Sequence, residues 1–265
     1  MDNIVNKHAL ITGATSGIGY ELAKVFAENH YNLIIVARNQ EELSLTASQL
    51  TQQYGVSVVP VAKDLFERNA AFELYDEVKS TGLQVDVLVN DAAQGQFGLF
   101  VDTDIQRDLD IIQLNVASFT ALTKLFLKDM VVRNEGKILQ IASIAGKVPG
   151  PYQAVYHATK AYVLSLTEAI HNELKGSNVT ITALLPGATD TDFFRKADGE
   201  DSTIVQETTL ADPAEVARDG YDALMRGDMR YISGAKNKMQ MAMANVMPDK
   251  MVAENMRKQN EPSQK

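Results

Sequence analysis

Ala9-Leu10-Ile11-Thr12-Gly13-Ala14-Thr15-Ser16-Gly17-Ile18-Gly19 is the stretch that decides the fold. Its first three residues read as a buried strand, and Leu22, Ala23, Val25 and Phe26 continue beyond it at helical spacing. A strand entering a helix through a glycine-rich turn leaves free N–H groups, and the positive end of the helix dipole, facing whatever lies over the turn. Glycine at positions 13, 17 and 19 lets that backbone approach a pyrophosphate. Gly13, Thr15, Ser16, Gly17, Ile18 and Gly19 are therefore a candidate dinucleotide-binding turn.

Strands and helices alternate from there on. Leu33–Val36 reads as the second strand and ends at Ala37-Arg38-Asn39, where an acid would bond a ribose 2′-hydroxyl. Ala37 cannot do so, whereas Arg38 can hold a 2′-phosphate, which favours NADP(H) over NAD(H). A polar helix follows over Gln40–Tyr54, then a third strand at Val56–Val59. Asp64 and Leu65 come next, within reach of an adenine edge. A fourth strand, Val85–Val89, delivers Asn90-Asp91-Ala92-Ala93, which puts Asn90 and Ala92 beside the cofactor. A sixth, Val179–Leu185, stops at Pro186-Gly187, and Met229–Ser233 reads as the last. This alternation predicts an α/β fold: one domain, 1–265, built on a doubly wound parallel sheet of about seven strands.

Between the fourth and sixth strands, Lys137-Ile138-Leu139-Gln140-Ile141 reads as the fifth. Ser143 lies just past its carboxyl end, where open α/β sheets place their ligands. Tyr156 and Lys160 then stand four apart on a helix, so phenol and ammonium share a face. The cation should favour phenolate and lower the ordinary Tyr value of about 10 toward working pH, which suits a general acid or base. The same spacing recurs at Tyr20/Lys24 and Tyr75/Lys79. The first lies inside the helix after the glycine turn, and the second has no strand-end Ser before it. Both read as structural.

Composition narrows the function. A chain of 265 residues with 45% hydrophobic content can bury one sizeable core. A net charge of -9 argues against a nucleic-acid partner. There is no cysteine, so disulfides, thiolate catalysis and Cys-ligated metals are excluded, and no metal site is expected. Met1–His8 is polar without a signal-peptide core, and no apolar run reaches the ~18 residues of a membrane span. A cytoplasmic enzyme without stable membrane insertion is the expectation.

Three segments remain. Asp104–Val132 reads as a long helix whose Leu109, Ile111, Ile112, Leu114, Val116, Phe119, Leu122, Leu125, Phe126 and Leu127 go nearly all the way round. One side should face the sheet and another a second copy, giving a homodimer or homotetramer. The stretch 188–211 shows no strand period and is expected to be a mobile substrate lid. Asp212-Pro213-Ala214-Glu215 then starts a helix with an N-cap and Pro at its first position. In the C-terminal extension, 235–265, Met239, Met243, Met247 and Met251 repeat every four residues, interrupted by Pro248. A short helix packed on the domain or a sister subunit is expected there, with disorder from Asn260.

Taken together, these residues resemble the short-chain dehydrogenase/reductase family over residues 7–234. The turn has its Thr-Gly-x-x-x-Gly-x-Gly form. Asn115, Ser143, Tyr156 and Lys160 match its catalytic four, and Pro186-Gly187 with Thr191 matches its nicotinamide-side motif, with Thr189 between. Arg38 and the segment Ile232–Lys236 look like a bacterial NADP-dependent subgroup of varied substrates. The resemblance implies a Rossmann fold and an NADP(H)-dependent oxidoreductase that interconverts a small carbonyl compound and its secondary alcohol. It implies that Tyr156 transfers the proton, Ser143 holds the oxygen, Lys160 binds the nicotinamide ribose and Asn115 positions a water. One departure is plain: the family's Asn-Asn-Ala-Gly is here Asn90-Asp91-Ala92-Ala93, and Ala93 would be strained if that position needed a positive φ. His157 points about 100° away from Tyr156 and reads as a bystander. An alternative is a non-catalytic NADP-binding regulatory protein of the same fold. A membrane-surface lipid or steroid enzyme, suggested by the Met-rich basic tail, is a further one. Gln94, Gln96, Phe97, Ile144, Val148, Tyr152 and Phe193 are candidate substrate-pocket residues, pointing to a mainly apolar molecule.

Overall fold

The computed structural model describes residues 7–263; the remainder of the polar start and the last two positions of the tail lie outside the described residues. Seven strands, β1 (His8–Thr12), β2 (Asn32–Ala37), β3 (Val58–Ala62), β4 (Val87–Asn90), β5 (Gly136–Ile141), β6 (Val179–Leu185) and β7 (Arg230–Ile232), form one sheet ordered β3-β2-β1-β4-β5-β6-β7. Every pairing is parallel. Connecting them are α1 (Gly17–Glu28), α2 (Gln40–Tyr54), α3 (Ala70–Ser80), α4 (Ile105–Ile112), α5 (Phe119–Arg133), α6 (Ala154–Glu173), the short α7 (Phe193–Lys196) and α8 (Thr203–Glu207), and α9 (Pro213–Arg226). Two further helices, α10 (Ala235–Ala244) and α11 (Asp249–Asn260), follow the sheet.

The run Ala9-Leu10-Ile11 shows why the sheet is central. All three residues are fully buried, yet Ala9 and Ile11 join the core under α1 and α9, while Leu10 joins the one under α3 and α5. A strand covered on both faces needs this continuous apolar run rather than an alternating one. Successive strands are added in one direction from β1 to β3 and in the other from β4 to β7, so the strand order reverses between β1 and β4, and a crevice opens at the carboxyl ends of these strands. The glycine turn and the segment after β5 both lie there.

Boundaries moved where chemistry was overridden by position. The third strand is Val58–Ala62, not Val56–Val59, and it contains Pro60. Proline lacks a ladder donor, but β3 is an edge strand, where one missing N–H is tolerated. The fourth strand begins at Val87 rather than Val85, and the last is shortened to Arg230–Ile232. The expected single helix over Asp104–Val132 is α4 and α5 joined by a π-helical turn, Gln113–Ser118, which carries Asn115. Ile105, Leu109 and Ile112 on its outer side are exposed.

The C-terminal expectation needs correcting. Met239, Met243 and Met251 of the four-residue repeat are exposed, whereas Met241 and Met256 are buried. The first helix stops at Ala244 and Pro248 caps the start of the second, so no continuous stripe can form. The segment from Asn260 to Ser263 is ordered rather than disordered: Asn260 Nδ2 donates to Pro151 O at 2.9 Å, and Ser263 N donates to Asp201 O at 2.7 Å. The stretch 188–211 is folded over the crevice as α7 and α8, with Phe97 N donating to Ala197 O at 2.8 Å.

Candidate active site

The crevice is a cleft of about 970 Å³. Gly13, Thr15, Ser16 and Ile18 of the glycine turn line one end, with Arg38, Asp64 and Leu65 beside them. Gly13 and Gly17 have φ of 73° and 57°, the left-handed region that glycine enters at little cost. A Cβ on Gly19 would lie 2.4 Å from Gly13 O, so the turn closes only with glycine there. The Arg38 guanidinium lies 5.2 Å from the Phe66 ring centre and has no ion pair among the described residues. Thr12 holds the turn to the neighbouring strand end: its Oγ1 accepts from Asp91 N at 3.0 Å and Ala92 N at 3.1 Å. Nothing in the sequence pattern had singled out that bond.

The other wall comes from β5 and α6. Ser143 follows the strand with extended backbone, and its Oγ accepts from Ala145 N at 3.1 Å. It also donates to Pro186 O at 3.3 Å. Lys160 is buried, and its Nζ donates to Ile141 O at 2.7 Å. Ser143, Tyr156 and Lys160 all line the cleft, as do Ala92, Pro186, Gly187, Thr189 and Thr191. Lys160 Nζ is 5.8 Å from the Tyr156 ring centre, nearly the separation at Tyr20/Lys24 (5.7 Å) and Tyr75/Lys79 (5.8 Å). Spacing alone is therefore indifferent to role. What differs is the surroundings: Lys24 pairs with Glu21 and Lys79 with Asp129 on partly exposed surface, while Lys160 is buried and lines the cleft with Ser143.

The electrostatics overturn one expectation. Burial pushes the Tyr156 phenol up to about 12, with the Ser143 hydrogen bond opposing and Asp91 reinforcing the shift. Burial likewise brings Lys160 down to about 8, opposed by the Asp91 carboxylate. Burial and the Asp91 carboxylate outweigh the Ser143 hydrogen bond, so the phenol is raised rather than lowered in the free protein. Asp91 itself is pushed up to about 7 by burial, against Lys160 and a hydrogen bond from Gly19 N–H. This buried carboxylate at the glycine turn is the consequence of Asp91 standing where the family pattern has Asn. Ala93, by contrast, has no positive φ, so its exchange for glycine brings no backbone strain.

Gly17, Gly19, Asn90 and Asn115 shape the cleft from behind without lining it. Asn90 Nδ2 donates to Thr123 Oγ1 at 3.1 Å and Gln140 Oε1 at 3.0 Å, so its side chain supports the strand end rather than facing the cofactor position. Asn115 Oδ1 accepts from Gln94 N at 3.0 Å, and its Nδ2 donates to Gln94 O at 2.8 Å and Thr159 Oγ1 at 3.0 Å. Both amide hydrogens are thus committed to protein acceptors, and the side chain holds the 94 loop instead of offering a donor to water. His157 is buried with Nδ1 on Val148 O at 2.9 Å, and it too lines the cleft. Among the candidate pocket residues, Gln94, Ile144, Val148 and Phe193 line the cleft; Gln96, Phe97 and Tyr152 do not. Sequence reasoning missed Gln153, Ile204, Met241 and Met256, which do. Only the tertiary packing of α8, α10 and α11 brings the last three there.

The fold and cleft define a class, the single-domain α/β proteins with a doubly wound, all-parallel sheet of seven strands. Residues 7–202 match the short chain dehydrogenase family, and the chain belongs to it. Relatives of the chain carry oxidoreductase and dehydrogenase names. A very-long-chain 3-oxoacyl-CoA reductase from Anas platyrhynchos is 33% identical over 184 residues, which cover 67% of this chain and 58% of that protein. This chain therefore spans little more than half that relative's length. Among solved structures, a short-chain dehydrogenase from Sphingobium yanoikuyae in complex with NADPH is 26% identical, with a TM-score of 0.80 over 94% of this chain and 99% of that one. The bulky-bulky ketone specific alcohol dehydrogenase from Comamonas testosteroni is 28% identical, with a TM-score of 0.77 over 90% and 92%.

Proposed function

We propose that the protein interconverts a bulky, mainly apolar carbonyl compound and its secondary alcohol with NADP(H). The observation that carries this reading is the convergence of Ser143, Tyr156 and Lys160 on one wall of a cleft whose far end is the glycine turn. The residues present fit the cofactor. Gly13 and Gly17 adopt positive φ, Gly19 leaves room for the turn to close, and Arg38 is available to a 2′-phosphate. The NADPH held by the Sphingobium yanoikuyae relative supports the choice of NADP(H) over NAD(H).

When bound, the nicotinamide supplies hydride to the carbonyl carbon or takes it from the alcohol. Ser143 Oγ donates to the substrate oxygen and fixes it beside Tyr156, whose hydroxyl gives that oxygen its proton during reduction. A phenol held protonated suits the acid role in that direction. Lys160, anchored on Ile141 O, is placed to bond the nicotinamide ribose, and its charge favours phenolate when protons must flow the other way. Asn115 keeps the 94 loop in place against α6 through Thr159.

Phe193, Ile204, Met241 and Met256 give the substrate end an apolar wall, consistent with the large ketones named for the Comamonas testosteroni relative and the acyl chains named for the duck relative. The stretch 188–211 acts as a lid over that end. The exposed Ile105, Leu109 and Ile112 support a homodimer or homotetramer through α4 and α5. Net charge and the lack, among described residues, of a helix able to cross a membrane accord with work in the cytoplasm. Oxidation of NADPH, followed by absorbance against a panel of ketones, 3-oxo esters and aldehydes, tests the reading. Consumption dependent on a carbonyl substrate supports it, and no turnover of any compound with either cofactor rejects it.

A further inference from the structure

Helix α8 has no anchor of its own. None of its five residues is buried, and a helix that short does not hold by itself. What fixes it comes from the C-terminal extension. Thr203 N and Thr203 Oγ1 both donate to Glu261 O, at 3.0 and 3.1 Å, and Ser263 N donates to Asp201 O at 2.7 Å. Ser202 and Pro262 stand opposite one another between these bonds as an antiparallel bridge. The extension is itself well seated: Val252, Met256 and Asn260 repeat every four residues along α11 and are all buried, so one face of that helix lies on the domain. Asn260 Nδ2 reaches Pro151 O at 2.9 Å, and the Arg257 guanidinium lies 5.4 Å from the Tyr152 ring centre, both in the turn that leads into α6. One part of the extension therefore rests on the turn before the helix of Tyr156, and the next grips the lid.

Resting on the carbonyl reductase reading above for what enters the cleft, we propose that residues 261–263 are a strap that holds the lid shut over the substrate end, and that the lid opens when this short antiparallel contact with 201–203 parts. Ile204 and Thr208 of the lid line the cleft with Met256, Gln259 and Asn260 of α11, so separating the two segments opens that wall. Each amide released exchanges its partner for water, which makes a contact of three hydrogen bonds inexpensive to break. Helix α11 stays in place, because Val252 and Met256 are buried and α8 has no such residue. Opening is thus confined to the lid and leaves Ser143, Tyr156 and the glycine turn undisturbed.

Two variants of the full chain test it. In Thr203→Pro both donors to Glu261 O are gone, yet α8 keeps its start: Thr203 is its first residue, where proline is tolerated, and Ser202 has φ -67° and ψ 146°, the extended conformation that suits a residue before proline. Hydrogen exchange over 200–210 is expected to quicken by about tenfold or more, the scale of the lost hydrogen bonds, with α6 and α9 unchanged. Unchanged exchange at 200–210, or faster exchange throughout the domain, overturns the proposal. The second variant, Ser202→Cys with Pro262→Cys, exploits the lack of any native cysteine. Residues opposite each other in an antiparallel pair lie about 4.5–5.5 Å apart at Cα, within disulfide reach, so the strap can be locked by oxidation and freed by reduction. With a carbonyl compound found by the panel above, kcat/KM should fall by about tenfold or more when locked and recover on reduction. Equal turnover in the two redox states, or failure of the two cysteines to cross-link, overturns the strap while leaving carbonyl reduction intact. Should no compound turn over in either state, the reductase reading falls, and the exchange measurement on Thr203→Pro decides the strap by itself.

Discussion

Lys160 Nζ donates to the carbonyl oxygen of Ile141 at 2.7 Å, tying the helix that carries Tyr156 to the last residue of the strand that delivers Ser143. The ammonium is thus positioned before any ligand arrives. Lys160→Ala should harm both turnover and NADPH affinity, because the residue ties α6 to β5 and lines the cleft proposed to hold the cofactor. Lys160→Met keeps much of the stem and should restore stability without restoring either. Turnover and affinity falling together in both variants supports the account; recovery of activity in Lys160→Met would show that only packing mattered.

Arg38 should decide cofactor choice. With Ala37 beside it and no ion pair among the described residues, its guanidinium is open to a 2′-phosphate. Arg38→Ala is expected to weaken NADPH binding by about tenfold or more, the loss of a charge-assisted hydrogen bond, and to leave NADH nearly unchanged. Fluorescence titration of both cofactors measures it. Equal effects on the two would deny Arg38 this part.

Asp91 gives a pH signature. Its folded value, about 7, is raised above the ordinary carboxylate value, so the native state keeps a proton that the unfolded chain releases. The stability it contributes is present at acid pH and lost as pH rises toward about 7. Asp91→Asn can still accept from Gly19 N–H but cannot ionise. Its melting temperature should therefore gain on wild type between about pH 4 and about pH 7 and run parallel above. A constant difference across that window would show that Asp91 does not titrate there.

How much of this was legible in the sequence follows from the range of the forces involved. The strand, glycine turn and helix at 9–28 are local, and their pattern sufficed. Asn115, Ser143, Tyr156 and Lys160 were recognisable as a set in chain order, but what each side chain touches was not. That Asn115 spends its amide on Gln94 and Thr159 depends on the π turn, and the burial that lifts Tyr156 depends on loops distant in sequence. Pro60 disguised an edge strand, because only the sheet order reveals that its missing donor is harmless. The Met repeat misled for the opposite reason: periodicity without knowledge of the facing surface chose the exposed methionines over Met241 and Met256.

Helix α4 should mediate self-association. Ile105, Leu109 and Ile112 are 66%, 50% and 40% exposed, a large apolar display for one side of a helix. Sedimentation at micromolar concentration should report a dimer or tetramer, and Leu109→Glu with Ile112→Glu should reduce it to smaller species. A wild-type monomer would leave this face without a second copy.

The lid should respond to cofactor. Thr191 lies against the glycine turn, since a Cβ on Gly17 would come within 2.9 Å of its methyl carbon. Hydrogen exchange across 188–211 is expected to slow on adding NADPH. Unchanged exchange would separate that segment from cofactor binding.

The most direct test is turnover of Tyr156→Phe on a verified carbonyl substrate. The phenol should act in the chemical step, so NADPH binding should stay near wild type while kcat falls by roughly 10² or more, as for a lost general acid. Tyr20→Phe and Tyr75→Phe carry the same spacing to Lys without the cleft and should keep their activity. Wild-type turnover in Tyr156→Phe, or equal damage in the two controls, would contradict the assignment of α6 as the catalytic helix.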